Sequence, residues 1–156
     1  NMSMGSFDPA DRDCFASAAA KHPDMLFVVS AGNDGRNLDQ APVFPAALPL
    51  ENMVTVTSSD DFGRIGRGSN VGAATVDIMV PAERVGVFDH RGVRAETGGT
   101  SYAAPRVAGL AMRFLAANPE ANTADIIAFL VSRTRPASSA PLVHGWIPDP
   151  SDDFGF

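Results

Sequence analysis

Residues 98–115 read GGTSYAAPRVAGLAMRFL, and this stretch decides the fold class. After its two glycines, apolar residues recur at near-helical spacing and cover almost the whole circumference, a pattern typical of a buried helix. Most of them are small, so this helix is expected to pack closely against a sheet. Pro105 is tolerated only in the first turn, where its missing N–H would be unpaired anyway. The helix should therefore begin within a few residues of Ser101.

Short apolar runs before this helix predict strands. Residues 25–30, 53–57 and 75–80 are rich in Val, Ile and Met, as in strands that are covered on both faces. Residues 84–88 and 93–96 flank a turn and predict a hairpin. The expected architecture is an α/β fold, with a mainly parallel sheet and helices on both of its faces.

Two further helices and a tail complete the predicted organisation. The Asp-Pro pair at residues 8–9 predicts an N-cap and a first helical residue, for a helix over residues 9–21. Another helix is predicted over residues 123–133. Residues 136–156 hold four prolines with Ser and Asp between them, and we expect a tail that is partly ordered at best. One domain over residues 1–135 and a Pro-rich tail are the expected units.

Length and composition exclude several classes of protein. The chain has 156 residues, 45% of them hydrophobic, which is enough for one domain with a core. Its formal net charge is −6, and the acidic residues are spread out, so no nucleic-acid or polybasic membrane partner is expected. No apolar run is long enough to span a bilayer. The lone Cys14 cannot form an intramolecular disulfide, and no cluster has zinc-ligand spacing, so no metal site is predicted.

Ser101 and Asn33 are the candidate catalytic residues. At a helix N-terminus, unpaired backbone N–H groups and the helix dipole favour negative charge, so an oxyanion forming beside Ser101 would be stabilised. Asn33 follows a predicted strand directly, at the end of an α/β sheet where ligands bind, and its amide can donate to such an oxyanion. Simpler interpretations exist: Thr100 or Ser101 as an N-cap, and Asn33 as a turn residue before Asp-Gly.

Residues 99–109, GTSYAAPRVAG, resemble the nucleophile motif of the subtilisin-like serine peptidases, Gly-Thr-Ser-x-Ala-x-Pro-x-Val-Ala-Gly. The family's usual His after the proline, which is not catalytic, is Arg106 here. Phe44-Pro45 matches a position where the family often has a cis peptide. The resemblance extends, in the family's order, to residues 1–5, 28–35, 44–46, 53–58 and 76–82. It implies the C-terminal half of a subtilase catalytic domain, a three-layer α/β sandwich.

The resemblance implies a function, serine endopeptidase, and a role for each matching residue. Ser101 matches the nucleophile, and Asn33 matches the oxyanion-hole asparagine, acting with the Ser101 N–H and the Thr100 hydroxyl. Two short segments match the backbone that flanks a peptide substrate and walls the first specificity pocket. Their residues are Ser3, Met4, Gly5, Ser30, Ala31 and Gly32. An extended peptide would add to the first of these segments as a strand.

The family's general base and its orienting acid have no counterpart in this sequence. Neither His-Gly-Thr-His nor Asp-[Ser/Thr]-Gly occurs, and His22, His90 and His144 are expected to be structural or solvated. The chain alone is therefore predicted to be inactive. It is interpreted as the C-terminal part of a longer subtilase whose N-terminal half is the missing partner. The alternative is a pseudo-peptidase or peptide-binding module without catalysis.

Three further expectations follow from the resemblance. Without the N-terminal half, the strand at residues 1–4 would present an unpaired edge, which predicts self-association. Catalysis in the family requires no cofactor, while structural calcium occurs in it and has no signature in this sequence. The sequence itself does not give the localisation, and the resemblance implies export only in that many relatives are exported.

Overall fold

The structure is a computed structural model that describes residues 1–150. The last residues of the predicted tail, 151–156, lie outside the described part. In chain order the elements are α1 (Pro9–Ala20), β1 (Phe27–Ser30), β2 (Met53–Ser59), β3 (Ile78–Pro81), β4 (Val85–Phe88), β5 (Arg94–Thr97), α2 (Thr100–Ala117), α3 (Thr123–Ser132) and β6 (Gly145–Trp146).

The main sheet has four strands in the order β1-β2-β3-β6, and every pairing in it is parallel. The central strand β2 is buried along its whole length, because it has a neighbour on each side and a packed layer on each face. Val54 pairs with Val28 of β1, and Val56 pairs with Ile78 of β3. Strands β4 and β5 form the separate antiparallel hairpin that the sequence predicts.

Helices lie on both faces of this sheet, which confirms the predicted α/β architecture. On one face, the apolar side chains of the strands pack against α2 and α3; they are Val28, Val54, Val56, Ile78 and Val80. On the other face, Val29, Met53 and Val76 belong to a second apolar cluster, against which Phe15 and Ala16 of α1 pack. Alternate residues of each strand therefore supply opposite layers.

Capping residues fix the N-terminal ends of the two shorter helices, and the cap of α1 is the one that the sequence predicts. The Asp8 side chain accepts a hydrogen bond from Ala10 N at 2.8 Å, with Pro9 as the first residue of α1. In α3, Asn122 and Asp125 form a reciprocal capping box. Each box member satisfies a backbone N–H that the first turn leaves unpaired.

Pro105 departs from its expected position. Helix α2 begins at Thr100, close to Ser101 as predicted, but Pro105 is its sixth residue and lies in the second turn rather than the first. A residue at this position would normally donate its N–H to the Ser101 carbonyl. That carbonyl instead accepts a hydrogen bond from the Ser3 hydroxyl at 2.9 Å, so the proline leaves no unpaired acceptor.

The middle of the Pro-rich segment forms a short strand, β6, that the sequence analysis does not predict. Ile78 and Met79 of β3 pair with Gly145 and Trp146 of β6, and Ile147 is 2% exposed. The sequence did not predict this strand, because the prolines around it leave only a short apolar run between them. The segment therefore contributes the last strand of the main sheet.

Candidate active site

The carboxyl end of β1 and the N-terminus of α2 meet through three hydrogen bonds. Thr100 N donates to Asn33 Oδ1 at 3.0 Å, and the Thr100 hydroxyl donates to the same oxygen at 3.1 Å. Gly32 N donates to Thr100 Oγ1 at 3.1 Å. Residues that are far apart in the sequence are thus brought together, and Asn33 is bonded directly to Thr100, the neighbour of Ser101.

These bonds fix the orientation of the Asn33 amide. A backbone N–H can only donate, so the side-chain atom that faces Thr100 N must be the oxygen. The Asn33 side chain is exposed, and its Nδ2 group makes no hydrogen bond within residues 1–150. Both amide hydrogens are therefore free to donate toward solvent or a ligand. This contact across the fold also sets Asn33 apart from an ordinary turn residue.

Thr100 orients Asn33. It is 0% exposed, and its hydroxyl hydrogen is directed to Asn33 Oδ1. The resemblance implies that this hydroxyl is a donor at the oxyanion; in the structure its hydrogen bonds to Asn33 Oδ1.

Neither Thr100 nor Ser101 is the N-cap of α2. The N-cap is Gly99, which has φ 119° and makes no side-chain capping bond. Glycine suits this position, since a Cβ there would lie 3.0 Å from Asn33 Oδ1 as well as at an unfavourable φ. Ser101 is the second residue of the helix, in the turn whose N–H groups have no intrahelical acceptor. Its hydroxyl makes no capping hydrogen bond.

A cleft of about 250 Å³ opens beside Ser101. The predicted site residues that line it are Ser3, Met4, Gly5, Ser30, Gly32, Asn33 and Ser101. Ala31 and Thr100, also predicted, are wholly buried and do not line it. The cleft further includes Phe7, Asp34 and Val43, which the sequence analysis missed. Val43 lies close to Gly5, where an added Cβ would meet its Cγ1 at 2.8 Å.

The segment at residues 2–6 forms one wall of the cleft because it is anchored at both ends. Met2 bridges to β1, with Met2 N donating to Val28 O at 2.8 Å and Ser30 N donating to Met2 O at 3.0 Å. Ser6 exchanges two backbone hydrogen bonds with Phe44, whose bond to Pro45 is cis, as the resemblance implied.

Asn70 is a further residue that sequence reasoning missed. It is 0% exposed, and its Nδ2 donates to Ala31 O at 2.8 Å. Its Oδ1 accepts from Asp34 N at 3.0 Å and from Arg36 N at 2.8 Å. One buried amide therefore holds the backbone on both sides of Asn33. An asparagine in a Gly-rich loop carries no signal that separates this role from that of a turn former.

None of the three histidines lines the cleft. His22 follows α1, and His90 lies between β4 and β5. His144 Nε2 lies 3.9 Å from Asp77 Oδ1. Burial raises the pKa of Asp77, although the hydrogen bond from Thr55 N and the nearby His144 oppose this shift.

Within residues 1–150, no three side chains of the His, Cys, Asp or Glu type are gathered so that they could hold a metal ion. No helix in that range is both long and apolar enough to cross a bilayer.

The fold and the cleft define a class: an α/β sandwich in which a serine at a helix start and an asparagine beyond a strand end line one cleft. The sequence profile of the Subtilase family matches residues 1–146. The chain belongs to this family of serine proteases.

Curated relatives give the same assignment. The chain is 36% identical over 116 residues to Subtilisin-like protease 7 of Arthroderma otae, covering 74% of this chain and 27% of the relative. It is 33% identical over 140 residues to the cuticle-degrading serine protease of Orbilia oligospora, covering 87% of this chain and 30% of the relative. The chain thus spans less than a third of the length of these relatives.

Solved structures agree on the fold. A cold adapted subtilisin-like serine proteinase superposes with a TM-score of 0.80 at 26% identity, covering 96% of this chain and 54% of that one. The A-subunit of the AB5 toxin from E. coli gives a TM-score of 0.78 at 20% identity, covering 96% of this chain and 56% of that one. At this lower identity the likeness concerns the fold alone.

Proposed function

We propose that Ser101 is the nucleophile of a subtilisin-type serine endopeptidase. Its hydroxyl oxygen attacks the carbonyl carbon of a peptide bond, and a general base accepts the hydroxyl proton. The resulting tetrahedral intermediate expels the amine, which takes the proton from that base, and water then hydrolyses the acyl-enzyme. The observation that carries the proposal is the hydrogen-bonded connection of Asn33, Thr100 and Gly32, which turns the Asn33 amide hydrogens outward beside the Ser101 cleft.

The oxyanion hole in this proposal consists of Asn33 Nδ2 and the backbone N–H of Ser101. Both are donors without a partner in the described chain, and the helix dipole adds positive potential at the same place. Preorganised donors of this kind stabilise charge that develops only in the transition state. In subtilisin itself, removal of one such side-chain donor lowers kcat by about 10²–10³.

The base and its orienting acid are supplied, in this proposal, by the N-terminal half of the domain. A serine hydroxyl is a weak nucleophile until a neighbouring base removes its proton. No histidine lines the cleft, so residues 1–150 provide no imidazole base beside Ser101. We therefore expect this chain alone to be inactive. Catalysis itself requires no cofactor, because attack, proton transfer and charge stabilisation are all carried by side chains and backbone.

The substrate is a peptide or protein bound in extended form. Residues 3–5 lie next to the edge of the main sheet, and their outward backbone groups can pair with a peptide as a further strand. Side chains of the peptide would then enter the cleft between Met4 and Asn33. Pairing of the main chains supplies affinity, and the cleft determines which peptide side chains are accepted.

Labelling with a fluorophosphonate tests this proposal, with Ser101→Ala as the control. We expect the chain alone to be labelled no faster than the control. When the chain is joined to a first half of a subtilase domain carrying the His and Asp motifs, we expect labelling that Ser101→Ala abolishes and Asn33→Ala slows by about 10²-fold or more. Rapid labelling of the chain alone would refute the inference that it lacks a general base. If the joined protein is still labelled after Ser101→Ala, the proposal that Ser101 is the nucleophile is refuted.

A peptide-binding module without catalysis is the second candidate, and the cleft without a histidine favours it. The two candidates differ in one measurement. If the joined protein binds extended peptides in a calorimetric titration but never hydrolyses them, the binding module is correct. Hydrolysis that depends on Ser101 excludes it.

We also propose that the chain self-associates through the sheet edge at residues 1–4. Met2 uses its inward backbone groups on β1, which leaves the outward groups of the adjoining residues available for another strand. Sedimentation velocity over a range of concentrations is expected to give a concentration-dependent coefficient. A monomer at all concentrations would contradict this proposal.

A further inference from the structure

The backbone carbonyl of Ser101 loses its usual partner within α2. In an α-helix the carbonyl of residue i accepts from the N–H of residue i+4, and for Ser101 that residue is Pro105, which has no N–H. The proline ring also crowds the carbonyl four residues earlier and pushes it away from the helix axis. The residue proposed as the nucleophile therefore lies in a turn that lacks one of its internal hydrogen bonds.

The Ser3 hydroxyl replaces that missing donor. Ser3 Oγ donates to Ser101 O at 2.9 Å, although the two residues are 98 positions apart in the sequence. Asn1 Nδ2 approaches the same hydroxyl oxygen at 3.4 Å, which leaves the hydroxyl hydrogen for Ser101.

Ser3 is held independently of α2. Met2, on one side, is paired with β1 through two backbone hydrogen bonds, and Ser6, on the other side, is paired with Phe44. The Ser3 hydroxyl is thus presented from a fixed segment rather than from a free terminus. Because the same segment is the wall along which a peptide would bind, its position and that of the Ser101 backbone are linked.

We propose that Ser3 is a positioning residue for the nucleophile, whose hydroxyl substitutes for the backbone N–H that Pro105 lacks. The structural part of this proposal is independent of the proposed function, and its consequence for catalysis rests on that function. The hydrogen bond sets where the Ser101 main chain sits relative to the Asn33 amide. It also transmits the position of the substrate-binding segment to Ser101.

A double-mutant cycle tests whether the Ser3 hydroxyl replaces the missing N–H of Pro105, and it does not require catalytic activity. The variants are the natural chain, Ser3→Ala, Pro105→Ala and the double variant, and the readout is the ¹³C chemical shift of the Ser101 carbonyl. We expect Ser3→Ala to shift this signal upfield, since the carbonyl loses its donor. In the Pro105→Ala background the same change is expected to move it far less, because the alanine introduced there has an N–H that donates within the helix.

Two controls separate this role from a general disturbance of the segment. Ser3→Thr keeps a hydroxyl and is expected to preserve the signal. Ser6→Ala removes a hydroxyl of the same segment that accepts from Asp8 N, and it is expected to leave the Ser101 signal unchanged. Equal shifts for Ser3→Ala in both backgrounds, or no shift in either, would overturn the proposal. The amide NMR spectrum of each variant checks that its native fold is retained.

Activity gives the second readout, in the protein joined to a first half that carries the His and Asp motifs. We expect Ser3→Ala to lower kcat about five- to tenfold with KM nearly unchanged, and Pro105→Ala to reduce this loss. If Ser101→Ala leaves activity intact, the proposed function fails while the carbonyl shifts still decide the role of Ser3. If activity depends on Ser101 but Ser3→Ala leaves kcat unchanged, the catalytic consequence fails alone.

Discussion

The substitution Asn70→Ala tests whether one buried amide holds the loop that carries Asn33. The side chain makes four hydrogen bonds to that loop: it donates to Ala31 O and, at 3.5 Å, to Asp34 Oδ2, and it accepts from Asp34 N and Arg36 N. It is wholly buried, as is Ala31. Alanine at this position can make none of them, and the two bonds from backbone N–H groups and the one to Ala31 O are the shorter ones.

The expected loss of stability can be worked from these contacts. The Ala31 carbonyl would be left without a partner in a dry environment, which costs about 1–3 kcal/mol. Asp34 and Arg36 are exposed, so water can reach their N–H groups, and each lost bond costs about 0.5–1 kcal/mol. The sum is roughly 3 kcal/mol, a large fraction of the roughly 5–15 kcal/mol that stabilises a typical domain.

Urea unfolding followed by circular dichroism measures this loss, with Asn37→Ala as the matched control. The Asn37 side chain accepts a single hydrogen bond, from Asp39 N at 3.0 Å, at the surface. We expect Asn37→Ala to cost about 0.5–1 kcal/mol. Hydrogen exchange at the Asp34 and Arg36 amides should accelerate only in Asn70→Ala. Equal stabilities for the two variants would refute the reasoning.

Two further predictions concern charge burial and backbone space. Burial raises the pKa of Asp77 above its ordinary value of 3.8, so the folded chain favours the protonated carboxyl, and its stability falls as pH rises through the raised pKa. In urea titrations from about pH 4 to about pH 7 the natural chain should lose stability relative to Asp77→Asn, and a relative gain would contradict this. Gly32→Ala should cost about 2 kcal/mol or more, because φ is 98° and a Cβ would lie 2.7 Å from Asn70 Nδ2. Gly35→Ala, with φ 64° and open space around it, should cost about 1 kcal/mol, and equal thermal midpoints for the two variants would show that space does not matter.

The elements of the fold were predictable where local chemistry decides them. The Asp8-Pro9 pair gave the start of α1 because an N-cap acceptor and a fixed φ act within a few residues. Apolar continuity predicted β1 to β3, since parallel strands are covered on both faces. Strand β6 was missed because two paired residues among prolines carry no periodic signal.

The candidate site was predictable from a resemblance, and only in part from the residues. Taken singly, Ser101 and Asn33 each had an ordinary interpretation as a cap or a turn residue, and the motif at residues 99–109 decided between them. The burial of Thr100, the bridge from Ser3 to Ser101 and the role of Asn70 depend on contacts between distant segments. No local pattern encodes such contacts, so the structure was needed to find them.

The pairing of Ile78 with Gly145 has a consequence for biosynthesis. A ribosome must deliver the polypeptide as far as β6 before β3 acquires its second neighbour, so nascent forms that stop earlier expose an unsatisfied strand to chaperones and to one another. Parallel pairings between such distant residues also require large loops to close before any contact compensates for the lost chain entropy. Folding of this molecule should accordingly be slow for its size and depend on the integrity of the segment that supplies β6.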